Sequence, residues 1–297
     1  MSLSKQNLSA VIVSFKSDKV IDNCIRSIPK SIEIVVVDNS NSKTFKDNLE
    51  KKYSNVKCIL SSENLGMGGG NNLGLKHINS DYALILNPDL ILHNDAINQI
   101  IDELQKNISF GILAPLSDNH DYPNYKIKKK DFKNINDTSR FSVESVDGYA
   151  MVLNLKKLNE VLNDKKNDCF DENFFMYLEN DDLCKRIIEK GEKIFILPKS
   201  KVTHLGAKAV DPKYNYEIEL SRNWHWMWSK FYFNKKHYGY FVALTKGFPS
   251  FGSAIYKFLI YSVVNNKYKK NIYMHRIQGY TNALLGKKSF FRPNVKD

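Results

Sequence analysis

The sequence predicts an α/β fold: a mostly parallel central sheet flanked by helices, followed by a helical C-terminal extension. Three observations predict it. Short runs of Val, Ile and Leu recur from residue 9 to residue 87, stretches with helical spacing separate them, and the composition shifts sharply in the last third of the chain.

The runs SAVIVSF (9–15), IEIVVVD (32–38), VKCIL (56–60) and DYALILN (81–87) have strand length and almost unbroken apolar character. Such runs suit strands covered on both faces. Val20, Ile21, Cys24, Ile25 and Ile28 keep helical spacing between the first two, as does the stretch from Phe45 to Tyr53 between the next two. Strand–helix alternation of this kind builds a parallel sheet. A helix is expected over about 94–106, then a strand at GILAPL, then a polar, lysine-bearing surface loop or flap over 117–142. VDGYAMVLNL (146–155) alternates like a further strand. The following FDENFFMYLENDDLCKRIIEKGEKIFILP turns from a loop into a helix that ends before Gly191.

Hydrophobic residues at 42% and charged residues at 26% of 297 are ordinary for a folded chain. The four cysteines show no CxxC pair, which favours a reduced, cytoplasmic setting over a disulfide scaffold. MSLSKQN leads straight into a strand-like run without the apolar core of a secretory signal, and no 18-residue window is free of charge. The net charge of +12 is unevenly placed: residues 199–297 hold 18 Lys+Arg against 4 Asp+Glu, and 21 of the 36 aromatics. A catalytic domain over 1–215 and a basic, aromatic-rich helical region over 216–297 are expected.

Ligands of open α/β sheets bind beyond the carboxyl ends of the strands. Asp38 and Asp89 each follow an apolar strand and should open onto one crevice. Asp38 is either the anchor of an Asx-turn or an acceptor for the base or ribose of a nucleotide. Asp89, stiffened by Pro88, is either a helix cap or a hard oxygen ligand for Mg²⁺ or Mn²⁺ beneath a diphosphate. ENLGMGGGNNLGLKHI (63–78) is a glycine-rich loop running into a helix, either a mobile turn or a close approach to phosphate. It is no dinucleotide fingerprint, because Asn71 stands where the third glycine belongs, and no Gly-Lys-Ser/Thr follows it. ENDDLCKR (179–186) gathers Glu179, Asp181 and Asp182 at a helix start, where they offset the dipole or supply a general base. His204, in VTHLGAKA, is a structural histidine or a neutral imidazole ligand for the same metal.

Taken in order, VIVSF, VVVDNS, ENLGMGGGNNLG, LILNPD, VDGYAMVL, FDENFFMYLENDDLCKR and HLGAKA resemble the motif series of family 2 glycosyltransferases with the GT-A fold. The resemblance covers about residues 8–245 and is nearest to bacterial rhamnosyltransferase-type enzymes of surface polysaccharide assembly. It implies inverting transfer of a sugar from a nucleotide-diphosphate donor, dTDP- or UDP-linked, to a hydroxyl of a glycan or lipid-linked acceptor. It further implies donor binding by Ser14, Phe15, Asp38, Asn64, Gly66, Asn71, Asn87 and Asp89. Asp89 and His204 would hold Mg²⁺ or Mn²⁺. One position departs from the pattern: where the family's base motif commonly reads Glu-Asp-x-Asp-Leu, this chain has Asn180. Glu179 is then the favoured base, Asp181 the substitute, and Asp182 the support of the helix start. The rival readings are a nucleotidyltransferase and a catalytically inactive glycan- or nucleotide-binding module.

RNWHWMWSKFYFNKKHYGYF (222–241) interleaves aromatic and basic residues, and the apolar run beyond it is broken by Lys246, Pro249 and Lys257. Too interrupted to span a bilayer, this region suits its interface; the plainer readings are packing onto the catalytic domain or a homodimer contact. A cytoplasmic enzyme, peripheral on the inner face of the cell membrane and without nucleic-acid partners, is the expectation.

Overall fold

The computed structural model describes residues 7–106, 108–119, 121–127, 139–162, 166–206 and 209–295. Part of the expected loop or flap, 128–138, lies outside them. The chain forms two compact units, Met1–Asp171 with Asn180–Asp211, and Glu172–Glu179 with Pro212–Asp297. The helical unit thus begins at Pro212, and it also takes in the 172–179 segment, which the sequence had suggested was part of the catalytic domain.

The first unit contains β1 (Leu8–Ser14), α1 (Ile21–Arg26), β2 (Glu33–Asp38), α2 (Lys43–Lys52), β3 (Val56–Leu60), α3 (Gly66–Leu75), β4 (Tyr82–Leu86), β5 (Leu90–Leu92) and α4 (Ala96–Leu104). It continues with β6 (Ile112–Ser117), β7 (Tyr125–Lys126), β8 (Phe141–Ser142), β9 (Ser145–Val146), β10 (Ala150–Asn154), α5 (Leu155–Leu162), α6 (Glu179–Glu189) and β11 (Ile194–His204). The main sheet runs β3-β2-β1-β4-β10-β6-β11-β5, with β8 beside β11; β7 and β9 form a separate ribbon. Its β3-β2-β1-β4 half is parallel, as is the β6–β11 pair. β10 lies antiparallel between β4 and β6, and β5 antiparallel on β11.

Strand periodicity divides the core in two. Ile12, Ile34, Val36 and Leu84 face one layer with Cys24 of α1, Phe45 of α2 and Ile100 of α4. Val11, Val35, Val37 and Ile85 face the other with Leu75 of α3, Leu158 of α5 and Ile187 of α6. All seven residues of β1 are buried, which explains its unbroken apolar run.

The glycine-rich stretch is helix rather than loop. Glycine is a poor helix former, but close packing selects it here. A Cβ on Gly70 would come within 2.8 Å of Val13 Cγ1, and one on Gly74 within 2.4 Å of Val11 Cγ1. Gly74→Ala would therefore overpack the helix–sheet contact, at a cost of about 1–3 kcal/mol.

The second unit is built on α7 (Asn215–Tyr238), α8 (Tyr240–Val263) and α9 (Lys267–Leu284), with Gly239 at φ 88° between the first two. Its core joins Trp224, Met227, Trp228, Phe231, Ala243, Tyr280 and Ala283. Trp224, Trp228 and Phe231 of α7 thus recur at helical spacing on an inward face, whereas Trp226, Tyr238, Tyr240 and Phe241 of the stretch expected at an interface are exposed. His225 is fully buried: Nε2 donates to the Phe291 carbonyl at 2.8 Å and Nδ1 lies 3.0 Å from Ser289 Oγ. Burial pushes its pKa down to about 3, so the ring is neutral. No helix among the described residues is long and apolar enough to cross a membrane.

Candidate active site

β4 ends at Leu86, and Asn87-Pro88-Asp89 turns the chain into β5. Backbone bonds fix this turn. The Asn87 N–H donates to the Tyr149 carbonyl at 2.9 Å, and the Leu205 N–H donates to the Asp89 carbonyl at 3.1 Å. Asp89 is buried at 1% exposure. Because β5 pairs with β11 at Leu90↔His204, the last residue of β11 arrives beside it. His204 Nε2 lies 3.5 Å from Asp89 Oδ1. The Tyr149 ring stacks on the imidazole with centroids 4.3 Å apart. Burial pushes the Tyr149 phenol up to about 12, so it stays protonated beside the pair. Asp89 is no helix cap; Asp95 occupies that position for α4.

An acidic oxygen and an imidazole nitrogen fit Mg²⁺ or Mn²⁺. Among the described residues no group of three or more His, Cys, Asp or Glu could hold a metal. Asp89 and His204 would be the ligands from this site, with phosphate oxygens and water beside them, which is how such ions sit in phosphate-bearing sites.

Asp38 ends β2 fully buried. One carboxylate oxygen accepts from the Ser40 N–H at 3.2 Å and the Ser40 hydroxyl at 2.6 Å, and the other accepts from the Ser42 N–H at 2.8 Å. This is the Asx-type turn that the residue favours, and it shapes the loop beyond the strand. Ser14 stands in register with Asp38, and Phe15 follows with its N–H directed to Ser17 Oγ at 3.2 Å. Asn64 Oδ1 accepts the Gly66 N–H at 3.1 Å, where the chain enters α3 at φ 73°. Asn39 clamps the same corner, donating to the Gly66 carbonyl at 3.0 Å and accepting from the Leu65 N–H at 3.3 Å. Ser14 Oγ, Asn71 Oδ1 and Asn87 Oδ1 are buried and find no hydrogen-bond partner among the described residues. Buried orphan oxygens are uncommon in folded chains, and they suit a region completed by ligand or water.

The approach to α6 is strained. Tyr177 and Leu178 take left-handed φ values of 70° and 67°, each at a cost of about 1 kcal/mol or more. Glu179 opens the helix, buried at 8% exposure. Asn180 Nδ2 donates to the Val146 carbonyl at 2.8 Å. Asp181 pairs with Lys126 at 2.7 Å. Asp182 is fully buried and accepts from Arg186 Nε at 2.8 Å, while the same guanidinium bonds the Cys169 carbonyl at 2.5 Å. Asp182 therefore braces the helix. Asp147 is open to water, yet the protein around its carboxyl, then the charge of Asp181, raises its pKa; Lys126 and His204 act the other way.

β4, the β10 entry, α6 and β11 thus bring Asp89, Tyr149, Asp147, Asp181 and His204 together with Lys126. Sequence reasoning missed Asn39, Lys126, Asp147 and Tyr149. The polar Asp147-Gly148-Tyr149 run before an apolar strand was the available signal for two of them.

The mostly parallel sheet flanked by helices is that of the GT-A glycosyltransferases, and solved structures of that class share the fold. GalNAc-T7, crystallised with UDP, GalNAc and Mn²⁺, superposes with a TM-score of 0.55 at 15% identity over 74% of this chain and 51% of its own. The mannosyltransferase PcManGT of Pyrobaculum calidifontis, in complex with GDP-Man and Mn²⁺, gives 0.53 at 13% identity over 95% and 88%. The chain belongs to glycosyl transferase family 2, whose profile matches residues 9–176. Rhamnosyltransferase WbbL of Escherichia coli K12 is 28% identical over 220 residues, 65% of this chain and 81% of its own. The low-salt glycan biosynthesis hexosyltransferase Agl10 of Haloferax volcanii is 32% identical over 113 residues, 37% of this chain. The match spans only 36% of Agl10.

Proposed function

We propose that this chain is a metal-dependent, inverting hexosyltransferase. It moves a sugar, rhamnose in the favoured reading, from a dTDP- or UDP-linked donor to a hydroxyl of a glycan or lipid-linked acceptor in bacterial surface polysaccharide synthesis. It works on the inner face of the cell membrane. The observation that carries the reading is the 3.5 Å approach of His204 to Asp89 at the sheet edge of a family 2 chain. The likeness to a rhamnosyltransferase and a hexosyltransferase supports the sugar class, and the nucleotides and Mn²⁺ in the solved relatives support the donor and the ion.

Mg²⁺ or Mn²⁺ held by Asp89 and His204 would neutralise charge on the departing diphosphate. The chain's own residues bind and orient. Asp38 and Asn39 shape the loop that lines the donor's nucleotide, with Phe15, Asn64 and Gly66 along it. Ser14, Asn71 and Asn87 offer their unpartnered oxygens to the donor or its water. Glu179, at the start of α6, takes the proton of the acceptor hydroxyl as its oxygen bonds the sugar carbon and the bond to diphosphate breaks. Asp147 and the Lys126–Asp181 pair receive the acceptor.

The test is a screen of nucleotide sugars for thermal stabilisation with Mn²⁺ present, followed by release of free nucleoside diphosphate with acceptor glycans. A nucleotidyltransferase would release pyrophosphate instead, and an inactive module would bind without turnover.

A further inference from the structure

Helix α8 carries apolar residues on two opposite faces, and only one is covered. Ala243, Gly247 and Ala254 are buried on the inward face, with Tyr280 so close that a Cβ on Gly247 would lie 2.3 Å from its ring. On the outward face Phe241 is 81% exposed, Phe248 63%, Leu259 56% and Val263 86%, with Ile255 and Tyr256 also exposed among them. Spacings of 7, 11 and 4 residues keep the first four on one line along the helix. A water-facing helix surface normally carries charge. This line carries none: α8 has no acidic residue, and its two lysines, Lys246 and Lys257, stand two residues from Phe248 and Leu259, about 160° round the helix from them.

Cations gather where α8 meets α7 and α9. Lys246 sits over the Tyr238 ring at 4.6 Å and Lys257 over Tyr273 at 5.4 Å, while Lys269 and Lys270 of α9 lie over Tyr261 and Phe258 at 5.1 and 5.8 Å. From Tyr240 to the end of the chain there are ten Lys and Arg against one Asp.

We infer that the outward face of α8 docks into the headgroup region of an anionic bilayer, with the helix lying flat. An exposed aromatic and aliphatic strip on one face, with lysines on the other faces and on the neighbouring helix, is the chemistry of an interfacial helix. Each lysine held near an anionic surface raises binding about fivefold at ordinary salt. A second copy of this chain fits less well. A two-fold contact sets the same patch against itself, so two strongly cationic helical regions would be brought together without acidic partners on α8 or α9. The inference does not depend on the catalytic reading.

The experiment is flotation of the full chain with phosphatidylcholine vesicles, with and without phosphatidylglycerol, over a range of salt. The wild type should float at least tenfold more with the anionic vesicles and lose that preference as salt rises. A variant combining Phe241→Ser, Phe248→Ser, Leu259→Ser and Val263→Ser should keep its melting temperature and lose at least tenfold in binding. Lys246→Gln with Lys257→Gln should lose about fivefold or more. Should the fourfold variant fail to fold, Phe241→Ser and Val263→Ser singly should each lower binding. No flotation by the wild type at low salt, or equal flotation of wild type and variants, would overturn the proposal. So would light scattering that shows a wild-type dimer converted to monomer by the serine variant without change in vesicle binding.

Discussion

Asn180 donates its side-chain amide to the main-chain carbonyl of Val146 at 2.8 Å, and so ties the first turn of α6 to the strand that leads into Asp147. The position where the family commonly has a carboxylate is here occupied by a donor with a specific acceptor. Asn180→Asp would set a carboxylate oxygen against a carbonyl oxygen. The loss of that bond, with a repulsive contact in its place, should cost about 1–3 kcal/mol. A lowered melting temperature with no gain in turnover is expected. A faster enzyme would mean that Asn180 marks a missing base.

Glu179→Gln should reduce turnover by about 10²-fold or more while nucleotide binding survives, the scale of losing a positioned base. Asp181→Asn should cost less, because Asp181 is already engaged by Lys126 at 2.7 Å. Steady-state rates of the two variants, with donor affinity measured separately, check the ranking. The reverse order would move the base to Asp181.

Asp147 gives a stability test with a definite sign. Its folded pKa is raised above the ordinary value by the desolvating protein around its carboxyl and then by the charge of Asp181. The folded chain therefore holds its proton more tightly than the unfolded chain, and stability falls as pH rises through that window. Asp147→Asn should raise the melting temperature at neutral pH and lower acceptor turnover together, as expected of a functional group kept at a cost to stability. A variant with unchanged turnover would place Asp147 outside the chemistry.

The helical unit should be acid-sensitive through His225. An unfolded histidine titrates near 6.5, whereas His225 is held down to about 3. Between those values the unfolded chain binds a proton that the folded chain refuses. The stabilisation is complete above pH 6.5 and is lost as pH falls, by about 1.4 kcal/mol per unit. His225→Gln should flatten the dependence of melting temperature on pH between 7 and 5. An identical fall in wild type and variant would contradict the assignment.

β1 to β4 lie within about a residue of the runs that foretold them, because strands buried on both faces leave a continuous apolar signature. β10 was legible as a strand but not as antiparallel, since alternation carries no direction. α3 was misread because five of its first nine residues are glycine, and the approach of Val11 and Val13 explains why the helix keeps Gly70 and Gly74. The aromatics of α7 looked interfacial from composition alone, while Trp224 and Phe231 are core. At the site, Asp89 and His204 were legible as strand-associated residues of ligand type. Tyr149 over His204 and Lys126 on Asp181 were not, since those pairs span 55 residues of sequence each and only the folded chain joins them.

The central claim is that Asp89, with His204, holds the ion under the donor's diphosphate. Mn²⁺-dependent binding of nucleoside diphosphate by Asp89→Asn, measured by calorimetry beside its turnover, tests it most directly. The account predicts an intact fold, with binding and transfer both reduced by more than the roughly 10–100-fold expected from loss of an outer-shell partner. Near-normal binding and turnover with added Mn²⁺ would contradict it.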